Sequence, residues 1–276
     1  NILEDERLEK IVTPGNASRW DRRPLDEMIS EAVSAARNSD VVIAAMGEAA
    51  NMSGESGSRT DISLPECQKK LLKALTGTGK PVVLVLFSGR PMTLAWENEA
   101  MTSILQTWFG GSEAADAITD VLFGDVNPSG KLTMSFPFSV GQIPVYYNMK
   151  NTGRDAYSKD YCRYASNWID CPNEPLYPFG YGLSYTTFEY SPVALSDTVM
   201  TVNGAVKAKV TVSNTGEYDG YEVAQLYIRD VVSSETRPVK ELKGFRRVFL
   251  KAGESAEIEF DITPDMLGWH SVDQYN

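Results

Sequence analysis

The first half of the sequence alternates short, continuous apolar runs with segments of helical periodicity. V41-V-I-A-A-M46 and P81-V-V-L-V-L-F87 are such runs, and S103-I-L-Q-T-W-F109 is predicted as a third strand. Continuous apolar runs of this length are typical of strands that are buried on both faces of a parallel sheet. Since strands that alternate with helices pair in parallel, with helices on both faces, the pattern predicts an α/β domain.

The segments between these runs carry the helical signals. Residues 25–38 place apolar side chains at a period of 3.6, which predicts a helix with one buried face. A second helix is expected to begin after Pro65, which suits the first helical turn, and to end before Gly77. The remaining elements predicted in this half are helices at residues 93–100 and 112–123 and a strand at residues 131–136.

The pattern changes after Phe136. The next segment is rich in Pro, Gly, Tyr and Asn and has little periodicity, and from Ser184 onward apolar and polar residues alternate at a period of two. Short alternating strands without helices predict an all-β sandwich. The predicted organisation is a linker or arm at 1–24, an α/β domain at 25–136, an aromatic-rich connector packed on it at 137–183, and a β-sandwich at 184–276.

Charge and residue types exclude several classes of function. The chain of 276 residues has a formal net charge of −11, which argues against a nucleic-acid partner because such binding neutralises phosphates with Lys and Arg. No apolar run reaches the roughly 18 residues that a membrane helix needs. His270 is the one histidine, so no Ser-His-Asp arrangement is expected, and we interpret it as a surface residue. Without a C-x-x-C pair, a cysteine zinc site is not expected either.

Three cysteines bear on the redox environment. Cys67 lies in a helical pattern and is interpreted as a buried thiol. Cys162 and Cys171 lie in the aromatic-rich segment, where either a small disulfide or two unpaired thiols fits the spacing. A disulfide would indicate an oxidising compartment. Both alternatives stay open.

Three loops leave the carboxyl ends of the predicted strands, which is where open parallel sheets bind ligands. They are residues 47–64, 88–91 and 110–112, and the first is long for a connection between a strand and a helix, as functional loops often are. It carries Glu48, Glu55 and Arg59. Two interpretations are open: a solvated acidic loop in which Arg59 pairs with Asp61, or a carboxyl group that performs acid–base chemistry against another surface.

Five segments of the sequence, in this order, resemble the C-terminal part of enzymes of glycoside hydrolase family 3, and the resemblance is to the bacterial periplasmic β-glucosidase type. It extends from about residue 25 to the end of the chain. The segments are G47-E-A-A-N-M-S-G-E-S-G-S-R-T-D-I, G79-K-P-V-V-L-V-L-F-S-G-R-P, W108-F-G-G-S-E-A, L122-F-G-D-V-N-P-S-G-K-L-T-M-S-F-P and Y177-P-F-G-Y-G-L-S-Y-T-T-F.

The resemblance implies a fold and a set of site residues. In that family a barrel domain supplies an aspartate nucleophile, an α/β sandwich domain supplies the acid/base glutamate from a loop, and a fibronectin type III-like domain follows. Glu55, in S-G-E-S-G-S-R, matches the family's acid/base loop best, and Glu48 is the runner-up because these loops vary in length. Arg59 is the candidate for positioning the loop or binding substrate, and its alternative role is a salt bridge.

The barrel's nucleophile motif places an aspartate before a tryptophan, and none of the five tryptophans here follows an aspartate. We therefore expect the chain to be the C-terminal domains of a longer enzyme, inactive without that barrel. The implied enzyme is periplasmic or secreted, needs no cofactor or metal, and hydrolyses terminal non-reducing β-D-glucosyl residues of a β-glucoside or oligosaccharide. The alternative is a non-catalytic carbohydrate-binding or scaffold module.

Overall fold

The computed structural model describes residues 23–49, 52–55, 57–154 and 163–268, and its contacts divide the chain into two units. The first consists of residues 1–118, 136–145 and 174–177, and the second of residues 119–135, 146–173 and 178–276. In chain order the described elements are α1 (Leu25–Arg37), β1 (Val42–Gly47), α2 (Glu66–Thr76), β2 (Val82–Phe87), α3 (Ala95–Ala100), β3 (Ser103–Gln106), α4 (Ala114–Phe123), β4 (Phe188–Tyr190), β5 (Ala194–Leu195), β6 (Val206–Asn214), β7 (Gly220–Ile228), β8 (Glu241–Leu250), β9 (Ser255–Ile262) and α5 (Pro264–Leu267).

The first unit is built on a parallel sheet with the strand order β1-β2-β3. The central strand β2 is entirely apolar, and Leu84 and Leu86 have no exposed surface. Leu72 and Leu75 of α2 are also buried, because they lie one turn apart on the apolar face of that helix. The predicted parallel α/β domain is therefore confirmed.

Strand β1 departs from the expectation that it is buried on both faces. Ala44 and Met46 are buried, but Ile43 is 50 % exposed and Ala45 is also exposed. The reason is its position: β1 lies at the edge of the three strands, and only one of its faces is covered by the described residues. The prediction of two-sided burial holds for β2 and is wrong for β1.

The strand predicted at residues 131–136 is also wrong. In the second unit, the Leu132 N–H donates to the Tyr181 carbonyl oxygen at 2.8 Å, and in the first unit Phe136 forms an isolated bridge with Tyr177. No ladder forms between these segments, because the Phe179 N–H donates to the Ser135 hydroxyl at 3.1 Å and Gly180 turns the backbone with a φ of 81°.

All strand pairs among the described residues of the second unit are antiparallel, as the alternating pattern predicts. Strand β6 pairs with β4, β5 and β9, and β7 pairs with β8 across an irregularity between Leu226 and Tyr227. The buried core residues are Val212, Ala224, Leu250 and Ile258. Antiparallel β structure with its own core is confirmed for this part of the chain, and the short helix α5 follows its last strand.

Other sequence-based predictions concern single residues and spans. Cys67 is buried in α2, as expected. Cys162 and His270 lie outside the described residues, so both alternatives for Cys162 and Cys171, a disulfide or two unpaired thiols, stay open. None of the helices in the described ranges is long and apolar enough to cross a membrane. In the same ranges, no group of three or more His, Cys, Asp and Glu side chains is placed to hold a metal ion.

A buried amide fixes the end of β6 in the second unit. Asn214 is 1 % exposed, and its side-chain nitrogen donates to the carbonyl oxygens of Tyr218 and Leu250 at 2.8 and 3.1 Å. Its side-chain oxygen accepts from the Thr186 hydroxyl at 2.6 Å and from the Gly216 N–H at 3.2 Å. All four hydrogen-bonding positions of the amide are thereby satisfied.

Replacing Asn214 by Ala should lower the free energy of unfolding by about 3 kcal/mol, because several buried polar groups would lose their partner. Urea denaturation followed by circular dichroism measures the change. The control is Thr215→Ala, which removes an exposed hydroxyl next to Thr187 and should cost less than about 0.5 kcal/mol. Equal losses in the two variants would contradict this role for the amide.

Candidate functional site

The loops that follow β1, β2 and β3 meet at the carboxyl edge of the parallel sheet. Gly89 shows how closely they approach: a Cβ atom on it would lie 2.1 Å from the Ser53 hydroxyl oxygen and 2.9 Å from a ring carbon of Phe109. Ser53 belongs to the first of these loops, Gly89 to the second and Phe109 to the third. Open α/β sheets bind their ligands at this edge.

The end of β1 is held in a single conformation. Gly47 has a φ of 138°, and a Cβ atom there would lie 1.7 Å from the Phe87 carbonyl oxygen, so only glycine fits. The Gln68 side chain accepts from the Gly47 N–H at 2.9 Å and donates to its carbonyl oxygen at 3.0 Å. The Glu48 N–H then donates to the Phe87 carbonyl oxygen at 2.9 Å. These contacts direct the Glu48 side chain into the protein.

Glu48 is the centre of an ion cluster with two arginines. Its side chain has no exposed surface, Arg59 Nη1 lies 2.9 Å from its Oε1, and Arg90 Nε lies 3.1 Å from its carboxylate. The Arg59 Nη2 also donates to the Ser63 carbonyl oxygen at 3.1 Å. A buried carboxylate needs such partners, because an uncompensated charge away from water is strongly unfavourable.

Arg90 also binds the backbone of the loop after β1. Its Nη2 donates to the carbonyl oxygen of Met52 at 2.6 Å and to that of Gly57 at 2.7 Å. Met52 is 4 % exposed, and the Gly57 N–H donates to the Gly54 carbonyl oxygen at 3.0 Å. We call residues 52–55 and 57 the Glu55 turn. The guanidinium group of Arg90 therefore fixes both ends of the Glu55 turn.

Glu55 lies in the middle of this turn and is exposed. Among the described residues, none forms a hydrogen bond or ion pair with its carboxyl group. The preceding Gly54 has a φ of 131° and open space where a Cβ atom would point. The two glutamates of one loop thus occupy opposite environments: Glu48 is buried between two cations, and Glu55 faces solvent.

The structure brings Arg59 to Glu48 and not to Glu55. In the described ranges, Arg59 makes no salt bridge with Asp61, and the surface pair that was one interpretation of the sequence is therefore absent. Asp61 accepts a hydrogen bond from the Ser63 N–H at 2.8 Å, and hydrogen bonds from Ser63 lower the pKa of its carboxyl group. Lys69 Nζ donates to the Ser63 hydroxyl at 2.7 Å and fixes the end of the loop.

The two aromatic residues after β3 have different surroundings. Trp108 takes a φ of 55°, which ends the strand earlier than predicted, and its ring centre lies 5.8 Å from that of Phe136. Their place at a strand end allows both rings either to face a sugar or to pack in the core, and predicts packing; Trp108 is packed. Phe109 is 47 % exposed next to Gly89, so core packing is wrong for this residue.

Sequence reasoning missed Arg90 as a residue of the site. The sequence places residues 88–91 in one of the three loops at the carboxyl ends of the strands but assigns no role to Arg90, which lies 42 positions from Glu48 in the chain. One signal was available: an arginine next to the carboxyl edge of a parallel sheet, opposite a loop with two glutamates.

Comparison with known proteins identifies relatives for both units. The sequence model of the Glycosyl hydrolase family 3 C-terminal domain matches residues 4–185, and that of the Fibronectin type III-like domain matches residues 222–276. The chain is 51 % identical to the periplasmic beta-glucosidase of Salmonella typhimurium over 278 residues, which is 100 % of this chain and 36 % of that protein. It is 45 % identical to a beta-xylosidase of Formosa agariphila, covering 87 % of this chain and 32 % of that protein.

Solved structures give the same result. The beta-glucosidase from Listeria innocua in complex with gluconolactone superimposes with a TM-score of 0.86 and 42 % sequence identity, over 90 % of this chain and 34 % of that one. The chain thus spans about a third of the length of the relatives it matches.

Replacing Gly47 by Ala should lower the free energy of unfolding by about 3 kcal/mol or more, because the new methyl group overlaps the Phe87 carbonyl and the φ of 138° is strained for alanine. The control is Gly79→Ala, with a φ of 75° and no atom within 4 Å of the new Cβ, which should cost only about 1–2 kcal/mol. Urea denaturation measures both. A smaller loss at Gly47 than at Gly79 would contradict the close approach.

Replacing Glu48 by Gln should lower the free energy of unfolding by about 3–5 kcal/mol, since two partly buried arginines would lose their counter-charge. The control is Glu31→Gln, which removes an exposed salt bridge to Arg23 and should cost less than about 1 kcal/mol. Thermal and urea unfolding measure the difference. Unchanged stability of the Glu48 variant would show that the cluster does not hold the loop.

Proposed function

The chain belongs to glycoside hydrolase family 3, and on that premise we propose that it forms the C-terminal portion of a retaining β-glucosidase. The enzyme removes terminal β-D-glucosyl residues from the non-reducing end of a β-glucoside or oligosaccharide. Glu55 is its acid/base residue. The aspartate nucleophile comes from a preceding barrel domain of the same enzyme, and the protein acts in the periplasm or is secreted.

The reaction defines what the acid/base residue must do. A retaining glycosidase uses two carboxyl groups about 5–5.5 Å apart, one of which attacks the anomeric carbon while the other protonates the departing oxygen. The second group then takes a proton from the water that releases the sugar. It must therefore gain and lose a proton in each cycle, next to substrate and water.

The observation that carries the assignment is the contrast between the two glutamates. Glu55 is exposed at the carboxyl edge of the sheet and has no partner among the described residues, so its carboxyl group is free to exchange a proton with a substrate. Glu48 is enclosed by Arg59 and Arg90, and protonating it would leave two partly buried cations without their counter-charge. This supports Glu55 over Glu48 as the acid/base residue.

The same geometry gives Arg59 a supporting role. Its guanidinium group is committed to Glu48 and to the Ser63 carbonyl oxygen, so it stabilises the start and end of the loop and not a sugar. Phe109 is better placed for substrate, because its half-exposed ring lies against Gly89 and next to Ser53 of the Glu55 turn. We propose that its ring contacts the substrate.

The substrate class rests on the relatives and on the chemistry. The relatives include proteins named beta-glucosidase, one named beta-xylosidase and one named putative beta-xylosidase. Glucose and xylose carry ring hydroxyl groups of the same configuration. By itself the chain supplies one of the two carboxyl groups, so we expect it to hydrolyse aryl β-glucosides no faster than buffer does. Turnover by the chain alone would contradict the proposal that the second carboxyl group comes from the barrel domain.

The test is the Glu55→Gln variant of the full-length enzyme, assayed on aryl β-glucosides with good and poor leaving groups. A poor leaving group needs the proton and a good one hardly does, so kcat/KM should fall by roughly 10²–10⁴ for methoxyphenyl glucoside and much less for dinitrophenyl glucoside. Glu99→Gln, an exposed glutamate on α3, is the control and should leave both values unchanged.

Two outcomes would contradict the proposal. Normal kinetics of the Glu55 variant on both substrates would exclude Glu55 as the acid. Sugar binding without any hydrolysis by the unaltered full-length protein would instead favour the non-catalytic module.

A further inference from the structure

Arg90 links three groups that are far apart in the sequence. Its Nε lies 3.1 Å from the Glu48 carboxylate, and its Nη2 donates to the carbonyl oxygens of Met52 and Gly57. These two carbonyl groups lie 38 and 33 positions away from Arg90 in the chain and on opposite sides of Glu55. No other described side chain donates to both ends of the Glu55 turn.

The guanidinium group is suited to this role by its shape. It is planar and carries its N–H donors in a fixed fork, so a carboxylate on one edge determines where the other edge points. Here Glu48 binds the Nε, which leaves Nη2 aimed at both carbonyl oxygens of the turn. Glu48 is itself fixed by the Gly47 backbone, which has room for no other residue. A rigid connection therefore runs from the sheet to the turn.

The side chain of Arg90 starts from an equally fixed point. It follows Gly89, where a Cβ atom would overlap the Ser53 hydroxyl, and it precedes Pro91, whose ring restricts the backbone. Its side chain is 23 % exposed, so water competes only in part for its donors. The hydrogen bonds at 2.6 and 2.7 Å are short, as expected when the donor is charged.

We propose that Arg90 is a positioning residue for the acid/base group: it holds the Glu55 turn so that the Glu55 carboxyl group meets the departing oxygen of the substrate. The inference rests on the proposed function of Glu55. A general acid has to come within about 2.6–3.2 Å of the atom that it protonates. A misplacement of about 1 Å can cost about 10²-fold in rate. A turn that is held at both ends therefore keeps the Glu55 carboxyl group at the distance that proton transfer needs.

Arg59 provides the contrast within the same cluster. It binds the same Glu48 carboxylate, but its other bond goes to the Ser63 carbonyl oxygen, outside the Glu55 turn. Loss of either arginine removes one ion pair from Glu48. Only the loss of Arg90 releases the ends of the turn, so its effect on proton donation is specific to Arg90.

The experiment replaces Arg90 by Met in the full-length enzyme and measures kcat/KM for the same series of aryl β-glucosides. The expected loss is about 10²-fold for methoxyphenyl glucoside and less than about 3-fold for dinitrophenyl glucoside, because only the first needs the proton. The control is Arg237→Met, which removes a buried arginine from its salt bridge with Glu241 in the second unit. This control should lower thermal stability without changing the ratio of kcat/KM between the two substrates.

A second variant separates charge from shape and covers the case in which Arg90→Met does not fold. Arg90→Lys keeps a positive charge near Glu48, but an ammonium group cannot reach the carboxylate and both carbonyl oxygens together. We expect Arg90→Lys to be more stable than Arg90→Met and to show a similar loss for methoxyphenyl glucoside. If the ratio of kcat/KM between methoxyphenyl and dinitrophenyl glucoside were unchanged in Arg90→Lys, the proposal would be overturned.

A double variant tells whether Arg90 acts through Glu55. Adding Arg90→Met to Glu55→Gln should lower kcat/KM for methoxyphenyl glucoside by less than about a further 3-fold, since the group that Arg90 positions is already lost. Equal losses on both substrates in Arg90→Met, or a full further 10²-fold loss in the double variant, would show a general structural role and overturn the inference. If Glu55→Gln itself leaves the substrate ratio unchanged, the proposed function fails instead, whatever Arg90 does.

Discussion

The buried ion cluster of Glu48 with Arg59 and Arg90 determines the shape of the candidate site. A carboxylate without exposed surface stays charged only where cations and hydrogen bonds replace water, and both arginines lie within 3.1 Å of it. Each arginine then has further donors to place, and the nearby acceptors are carbonyl oxygens of the loop. The cluster therefore joins the end of β1 to the loop that follows it. Because Arg90 of this cluster holds both ends of the Glu55 turn, the cluster also determines where Glu55 lies.

This arrangement places two glutamates that are seven positions apart in opposite environments. Glu48 is held between cations and gives the loop its rigidity, whereas Glu55 is left exposed where three loops converge. The proposed acid/base role is assigned to Glu55 because, of the two glutamates, only its carboxyl group is exposed. Gly47 and Gly54, both with positive φ, give the backbone the conformations that this arrangement requires.

Local pattern predicts the regular elements well and the site only in part. Strand β2 and helix α2 follow from apolar runs and spacing, and β6 and β9 follow from strict alternation, because each of them is stabilised by burial that the sequence itself displays. The exposure of Ile43 and the missing strand at 131–136 depend on which neighbours cover or pair with a segment, and no local pattern contains that information. The same holds for Arg90, whose partners lie 33 to 42 positions away.

The central claim is that Glu55 donates and accepts the proton of a retaining reaction, and a small anion can replace a missing acid/base group directly. In the Glu55→Ala variant of the full-length enzyme, azide should restore turnover of dinitrophenyl β-glucoside, because it attacks the glycosyl-enzyme without needing a base. The product, identified by NMR, should be β-glucosyl azide, since attack on the covalent intermediate retains the configuration. A rate that azide does not change, or an α-configured product, would contradict the account.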